Sequence, residues 1–587
     1  MLKTKLIPTP LLDHHEREPI TIAADARQAQ LARFRSRPIR VMLGFMLEML
    51  WLRLTGRRTP EMHARRLREV FEQMGGLWIK VGQLLSLRAD LLDEATCREL
   101  SQLQYRAVGF PPEVARAIIE KDLDQPLGDV FTEFELTPLA AASICQVHKA
   151  VLRHTRTSVV VKVQRPEVTQ SFLRDMRLVR RLINMLIGFN VAPHLRWRDF
   201  LWELEQIMLE ELDYRYEASH LRRMKASLRG HRVYVPKVYR RLCSPRVLVM
   251  EFVAGVLMSD YITVRNHDPA RLSIWLETNN VKPTKVATRL FCSTLRQLLE
   301  DNLFHADLHP GNILLLKNSR VALIDLGTIG TVEQEFLRTY RLSLNALANR
   351  DFSRAADYSL HYAPEVPTDV RRLREDLVRC YRLWEAKTHL RNLDYHQKSL
   401  GSVGTESGQV LMTYKVPVNW ALLKISRTMT TLDASLSYLM PSASYTRLFK
   451  SYLRQARRRQ LQGGIMRRAG DSVREMIGAM DEYGALLSPA IREQTLMLKS
   501  MGTRANRFTR EVYRTMSKLL AIALVTSFWL LFYQHYAVGS HKYIPHEMID
   551  FADNVPHIDH PWWLLIIGII FLMLRMFHRL ARRADQG

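Results

Sequence analysis

Cysteine is scarce in this chain: five in 587 residues, Cys97, Cys145, Cys243, Cys292 and Cys380, scattered and without a C-x-x-C. That argues against a structural zinc and suits a reducing cytoplasm. The N-terminus shows no signal-peptide pattern, and Asp13, Glu16 and Glu18 argue against an acid-poor transit peptide. Acid is short as well: 59 Asp and Glu face 85 Lys and Arg, a formal net charge of +26. Nucleic acid is one partner for such a chain, but no recognition motif is present. An anionic membrane surface fits better, because apolar runs lie near the C-terminus. At 587 residues the chain can bury more than one core.

What is present is a set of phosphoryl-transfer motifs. Phe304-His305-Ala306-Asp307-Leu308-His309-Pro310-Gly311-Asn312 fits H-x-D-L-x-x-x-N, the catalytic-loop pattern of kinases, and Leu323-Ile324-Asp325-Leu326-Gly327 fits D-x-G after a short apolar run. The transition state of phosphoryl transfer is mostly charge. Asp307 can orient or deprotonate an acceptor, while Asn312 and Asp325 can hold Mg²⁺ against the phosphates of ATP. His305 and His309 also have the spacing of a metal pair on a helix, but Pro310-Gly311 argues against a helix there. Upstream, the valine-rich run at 158–166 reads as a strand, and Lys162 sits in it as the phosphate-contacting lysine of a kinase would. A strand lysine more often ends in solvent; the apolar neighbours favour the cleft. Residues 202–218 read as one acidic helix with Glu210, Asp213 and Glu217 on one face. The run 246–255 reads as a core strand or as a strand leading into an adenine-binding hinge.

The usual kinase parts are missing at three places. Where a Gly-rich loop would cover the phosphates stands Ala140-Ala141-Ala142-Ser143, and alanine does not supply a φ > 0 cradle cheaply. Ala306 replaces the arginine of H-R-D, and Leu326 the phenylalanine of D-F-G. No A-P-E follows, which argues against control by activation-loop phosphorylation.

Together these residues resemble the UbiB family of atypical kinase-like proteins, linked to ubiquinone biosynthesis. The match runs over roughly 65–335. Lys80-Val81-Gly82-Gln83 looks like the family's K-x-G-Q signature, Ala140 to Ser143 its Ala-rich loop, and Glu211-Leu212-Asp213 its E-x-D motif. Glu217 falls where the helix glutamate pairs with the strand lysine, Lys162. The resemblance implies that the K-x-G-Q helix meets Glu211 and Asp213 and occludes the groove where a protein kinase takes its peptide. It also implies ATP hydrolysis, or an unknown small or lipid acceptor, rather than protein phosphorylation.

Leu519 to Tyr533 is an uncharged apolar stretch, extendable to Gly539; Pro561 to Leu574 is a second, which reaches the length of a span only by running on through Arg575 to Leu580. Arg510, Arg514 and Lys518 precede the first span; Arg575, Arg579, Arg582 and Arg583 follow the second. The loop between them holds Glu547, Asp550, Asp553 and Asp559, with Lys542 its only Lys or Arg. By the positive-inside rule the body and tail are cytoplasmic, in a bacterial inner membrane. A pair of buried amphipathic helices is the other reading. Val41 to Leu54, flanked by Arg33, Arg35, Arg37, Arg40, Arg57 and Arg58, either lies in a membrane interface or packs on the core. Gly401, Gly404 and Gly408 mark 386–412 as a loop. Arg454, Arg457, Arg458, Arg459, Arg467 and Arg468 form a basic patch, either solvated or resting on acidic lipid.

The expected architecture is α+β: a bilobal protein-kinase-like fold with a helical N-terminal extension and a C-terminal transmembrane hairpin. Its divisions are a basic, amphipathic segment at 1–64, the K-x-G-Q extension at 65–130, an N-lobe at 131–255, a C-lobe with further helices at 256–510, and the hairpin at 511–587. Two functions compete. One is an ATP-using enzyme that supports ubiquinone biosynthesis. The other is a nucleotide-sensing scaffold that gathers quinone-biosynthetic enzymes or quinone precursors.

Overall fold

The structure, a computed structural model, describes residues 7–12, 38–55, 59–86, 92, 94–101, 103, 109–142, 144–166, 168–188, 197–361, 363, 369–390, 393, 395–414, 416, 418–441, 445–462, 489–536, 552 and 554–584. Ser143, Arg33, Arg35, Arg37, Arg57, Arg58, Arg467, Arg468 and the 537–551 stretch of the acidic loop lie outside them. The chain divides into two compact units, residues 1–364 with 371–477, and 365–370 with 478–587.

The first unit opens with helices α1 (Pro38–Leu54), α2 (Pro60–Met74), α3 (Gly76–Leu85), α4 (Glu94–Ser101) and α5 (Pro112–Leu123). Gly75 and Gly76 separate α2 from α3 at φ +64° and +48°, the left-handed region that glycine enters without strain. A five-stranded antiparallel sheet follows: β1 (Phe131–Phe134), β2 (Ala140–Ala141), β3 (Cys145–Leu152), β4 (Ser158–Gln164), then α6 (Val168–Gly188), α7 (Trp197–Leu212) and α8 (Tyr214–Ser227), a short β5 (Val233–Tyr234), and β6 (Val247–Glu251). Its order is β1-β3-β4-β6, with β2 paired to β3. Strand alternation sorts the valines of β4. Val159, Val161 and Val163 pack on α5, which turns Val160 and Lys162 towards the opposite face, where Val160 meets Tyr214, Ala218 and Leu221 of α8.

The second lobe continues through β7 (Val256–Leu257), α9 (Met258–His267), α10 (Pro269–Thr278), α11 (Pro283–Arg296), β8 (Phe304–His305), β9 (Ile313–Leu316), β10 (Arg320–Leu323) and β11 (Ile329–Gly330). The sheet order β5-β10-β9-β7 makes β9 and β10 a hairpin that carries Asp325 out of the core. Helices α12 (Gln334–Ala348), α13 (Phe352–His361), α14 (Val370–His389), α15 (Leu400–Thr413), α16 (Trp420–Leu439) and α17 (Tyr445–Gln462) complete the order. This is the kinase-like α+β fold expected.

Two local expectations fail. Residues 202–218 are not one helix: Asp213 sits at φ −133°, ψ 103° and caps α8, accepting from the Arg215 amide. The Asx oxygen satisfies an orphan amide that a continuous helix would not have. Nor is 386–412 a loop. It holds the end of α14, a single turn at Tyr395–Lys398 and most of α15. A Cβ at Gly401 would lie 2.7 Å from Asp433 Oδ2, and one at Gly404 3.1 Å from Ser426 Oγ. Gly401 and Gly404 serve close helix packing against α16 rather than a turn.

Helix α1 packs on the helical extension along one face. Val41, Met42 and Phe45 pack against the cluster of α2 and α3, Glu48 pairs with Arg66 at 2.9 Å, and another face stays open. In the basic patch, Arg459 is tied to Glu300 at 2.6 Å.

The second unit holds α18 (Pro489–Tyr536) and α19 (His560–Ala584). Glu511–Gln534, 24 residues of mean hydropathy 1.7, and His560–Leu580, 21 residues of mean hydropathy 1.8, are long and apolar enough to cross a membrane. Gln534 joins them: its Oε1 accepts from Trp563 Nε1 at 3.1 Å and its Nε2 donates to the Pro556 carbonyl at 3.2 Å.

Candidate nucleotide and phosphoryl-transfer site

Lys162 reaches two carboxylates. Its Nζ donates to Glu217 Oε1 at 2.6 Å and to Asp325 Oδ2 at 3.3 Å. The Lys162 and Glu217 side chains are 9% and 6% exposed, whereas Asp325, at 46%, opens to the cleft. Burial alone would lower the Lys162 ammonium, but Asp325 and Glu217 outweigh it and raise it. Burial pushes the Glu217 carboxyl up to about 7 against the pull of Lys162. Burial also acts to raise Asp325, but Lys162 and then the Gly327 amide hold it down at about 2. Asp325 is therefore an anion at neutral pH, aimed where phosphate would arrive.

The catalytic loop is clamped to the chain on either side of Asp325. Strands β8 and β11 pair, Phe304 with Gly330 and His305 with Ile329. A Cβ at Gly330 would lie 2.3 Å from the Phe304 ring, so this crossing requires glycine. The Asp307 amide donates to His305 Nδ1 at 3.1 Å. Asn312 Nδ2 donates to the Asp307 carbonyl at 3.0 Å, and the Ile324 amide to the Asn312 carbonyl at 3.1 Å. Asp325 Oδ1 accepts from the Gly327 amide at 3.0 Å. Asp307, Asn312, Asp325 and Lys162 thus share one cleft. An anionic carboxylate with an amide oxygen suits Mg²⁺ that brings phosphate and water as its remaining ligands. Among the described residues no three His, Cys, Asp or Glu side chains form a metal cluster of their own.

Ala140 and Ala141 pair with Val147 and Gln146, and Ala142 closes the turn with its amide donating to Cys145 at 2.8 Å. The Ala-rich element is a tight hairpin rather than a long cradle. Ser143 lies outside the described residues.

Lys80 on α3 pairs with Glu211 at 2.5 Å. Asp213 does not meet Lys80; Arg215 holds it at 2.7 Å and keeps its carboxyl below the usual range. Gln83 donates to the Leu103 carbonyl at 2.9 Å. Gln83 Oε1 and Glu211 Oε2 are buried without a hydrogen-bond partner in the structure. At Gly82 a Cβ would lie 2.3 Å from Leu103 Cδ1, which explains the glycine of K-x-G-Q.

Helix α16 supplies residues that the motifs did not reveal. Arg427 Nη2 lies 3.3 Å from Asp307 Oδ2, and Thr431, one turn on, accepts from the Leu308 amide at 3.1 Å. Lys424 pairs with the buried Glu203 of α7 at 2.7 Å. A cavity of about 150 Å³ opens beside Ala306 and Thr328, walled by Leu84, Trp202, Trp420 and Arg427. The available signal was charge on an otherwise apolar helix, which needs partners when it packs inward.

The fold and cleft define a kinase-like protein with a helical cover. Residues 102–359 match the family model of the ABC1 atypical kinase-like domain. The chloroplastic Protein ACTIVITY OF BC1 COMPLEX KINASE 1 of Arabidopsis thaliana is 35% identical over 296 residues, 50% of this chain and 42% of that protein. Probable protein kinase UbiB of Vibrio parahaemolyticus is 34% identical over 298 residues, 50% of this chain and 53% of that protein. The UbiB of Shewanella putrefaciens is 29% identical over 415 residues, 69% and 72%. The chain spans about half the length of the first two relatives. A solved structure, Rv3197 with erythromycin from Mycobacterium tuberculosis, aligns at 23% identity and a TM-score of 0.39 over 64% of this chain and 94% of that one. Residues 102–359 are similar to the ABC1 atypical kinase-like domain, and the chain's resemblance to the UbiB family holds.

Proposed function

We propose that this chain is a membrane-anchored atypical kinase that uses ATP, with Mg²⁺, to support ubiquinone biosynthesis. The observation that carries the proposal is the Lys162–Glu217–Asp325 arrangement, joined to Asp307 and Asn312 in one cleft. Lys162 would contact the α- and β-phosphates once Glu217 has fixed its head. Asn312 and Asp325 would hold the cation, which neutralises charge developing on the phosphates. Asp307 would orient water or a hydroxyl acceptor for attack. The cavity beside Ala306, about 150 Å³, has room for water or a very small group and not for a peptide, in keeping with hydrolysis or transfer to a small or lipid acceptor that enters only by its reacting end. The two apolar helices would anchor the chain as a hairpin in the bacterial inner membrane, with the body cytoplasmic.

The tight Ala-rich hairpin and the Lys80–Glu211 pair favour a second reading, a nucleotide-sensing scaffold for quinone-biosynthetic enzymes with hydrolysis incidental. Lipid profiling of a deletion strain complemented with wild type or with Asp307→Asn, which leaves Lys162, Glu217, Asn312 and Asp325 to bind Mg-ATP, separates the two. Lost quinone with the mutant supports the enzyme; restored quinone supports the scaffold.

A further inference from the structure

Helix α1 is apolar on two faces. One is used: Met49 and Leu52 are 8% exposed, and Val41, Met42 and Phe45 pack against the α2 and α3 cluster. The other is open. Leu43, Leu47, Trp51 and Leu54 are 53, 66, 55 and 78% exposed. Their spacing of four, four and three residues lines them along one side of the helix over about 16 Å. No other helix of this unit leaves four large apolar side chains in water among the described residues. A contiguous apolar strip of this kind marks an interaction surface.

We propose that this face lies in the headgroup–acyl boundary of an anionic bilayer, as a second membrane contact beside the C-terminal hairpin. Arg40, exposed and three residues before Leu43, extends the stripe at its N-terminal end. Arg33, Arg35 and Arg37 precede it in sequence and Arg57 and Arg58 follow it. The one acid of the helix, Glu48, is spent on Arg66. Apolar side chains between arginines, with a tryptophan among them, match lipid tails beneath anionic headgroups. A second copy of the chain fits less well, since an antiparallel pairing of this stripe would bring arginine ends together. The chain's two helices of membrane length would raise the local concentration of bilayer around α1. The inference rests on that hairpin and not on the nucleotide site.

The test places p-benzoylphenylalanine at Leu47 of the full chain reconstituted in phosphatidylethanolamine–phosphatidylglycerol vesicles, with Ile274, 68% exposed on α10, as the control position. Carbonate-resistant incorporation is checked first, so that a failed hairpin is seen separately and overturns the inference with it. Irradiation should give a lipid adduct at 47 and none at 274. Arg40→Glu should lower the yield severalfold in these vesicles, with no change in phosphatidylcholine. A crosslinked dimer, a crosslink to another segment of the chain, or no lipid adduct at 47 would overturn the assignment.

Discussion

Two lysines in this molecule hold glutamates at neighbouring positions, and they do so in different ways. Lys162 comes from a central strand, is 9% exposed and answers to both Glu217 and Asp325. Lys80 comes from the helical extension, is 22% exposed and, among the described residues, pairs with Glu211. Their partners lie six residues apart, on α8 and α7, with the break at Asp213 between them. A buried cation with two anions cannot leave without exposing uncompensated charge. The Lys80–Glu211 pair strands a single carboxylate when it opens. In the proposed reading the first lysine belongs to the nucleotide site and the second is a latch on the cover.

The largest effect should come from Lys162→Ala, which strands two carboxylates and should cost about 3–5 kcal/mol of stability in denaturant unfolding. A loss below about 1 kcal/mol would erase the contrast between the lysines. Next is Asp325→Asn. Mg-ATP at a hundredfold excess over its Kd should stabilise the wild type by about 2.7 kcal/mol, and the variant should lose most of that thermal shift. Arg427→Ala, which frees Asp307 from its cation, should lower ATP turnover about tenfold, near 1.4 kcal/mol, while Mg-ATP affinity is kept and Arg427→Lys restores part of the rate. Equal turnover would reduce Arg427 to a surface contact. Lys80→Ala strands one carboxylate rather than two and should cost less stability than Lys162→Ala, yet change ATPase rate or expose autophosphorylation in liposomes.

A further effect is a pH slope. Glu217 is raised from 4.5 to about 7 in the folded chain, so its contribution to stability is complete below pH 4.5 and is lost as pH rises through about 7. Glu217→Gln should flatten the melting temperature across that window. An unchanged slope would mean that Glu217 keeps its ordinary titration.

The chemistry was legible because it sits in short motifs. Asp307, Asn312 and Asp325 are fixed by local spacing, and the valine run marked the strand of Lys162. Lys80 was read as meeting Glu211 or Asp213, and the structure selects Glu211. What stayed hidden depends on distant or subtle contacts. Arg427 lies 120 residues from Asp307 and in no motif. The glycines at 401 and 404 read as loop residues because their role is the approach of α16, which spacing within one segment does not display. Asp213 passed for a helix-face acid because a cap and a face residue look alike until the chain bends.

The central claim is that the cleft around Asp325 binds nucleotide and that the Lys80 latch is separate from it. One titration of Mg-ATP into the full chain, as wild type, Lys80→Ala and Asp325→Asn, tests it most directly. Lys80→Ala should bind within about threefold of wild type and Asp325→Asn about a hundredfold more weakly, near 2.7 kcal/mol. Equal affinity in all three would contradict the account.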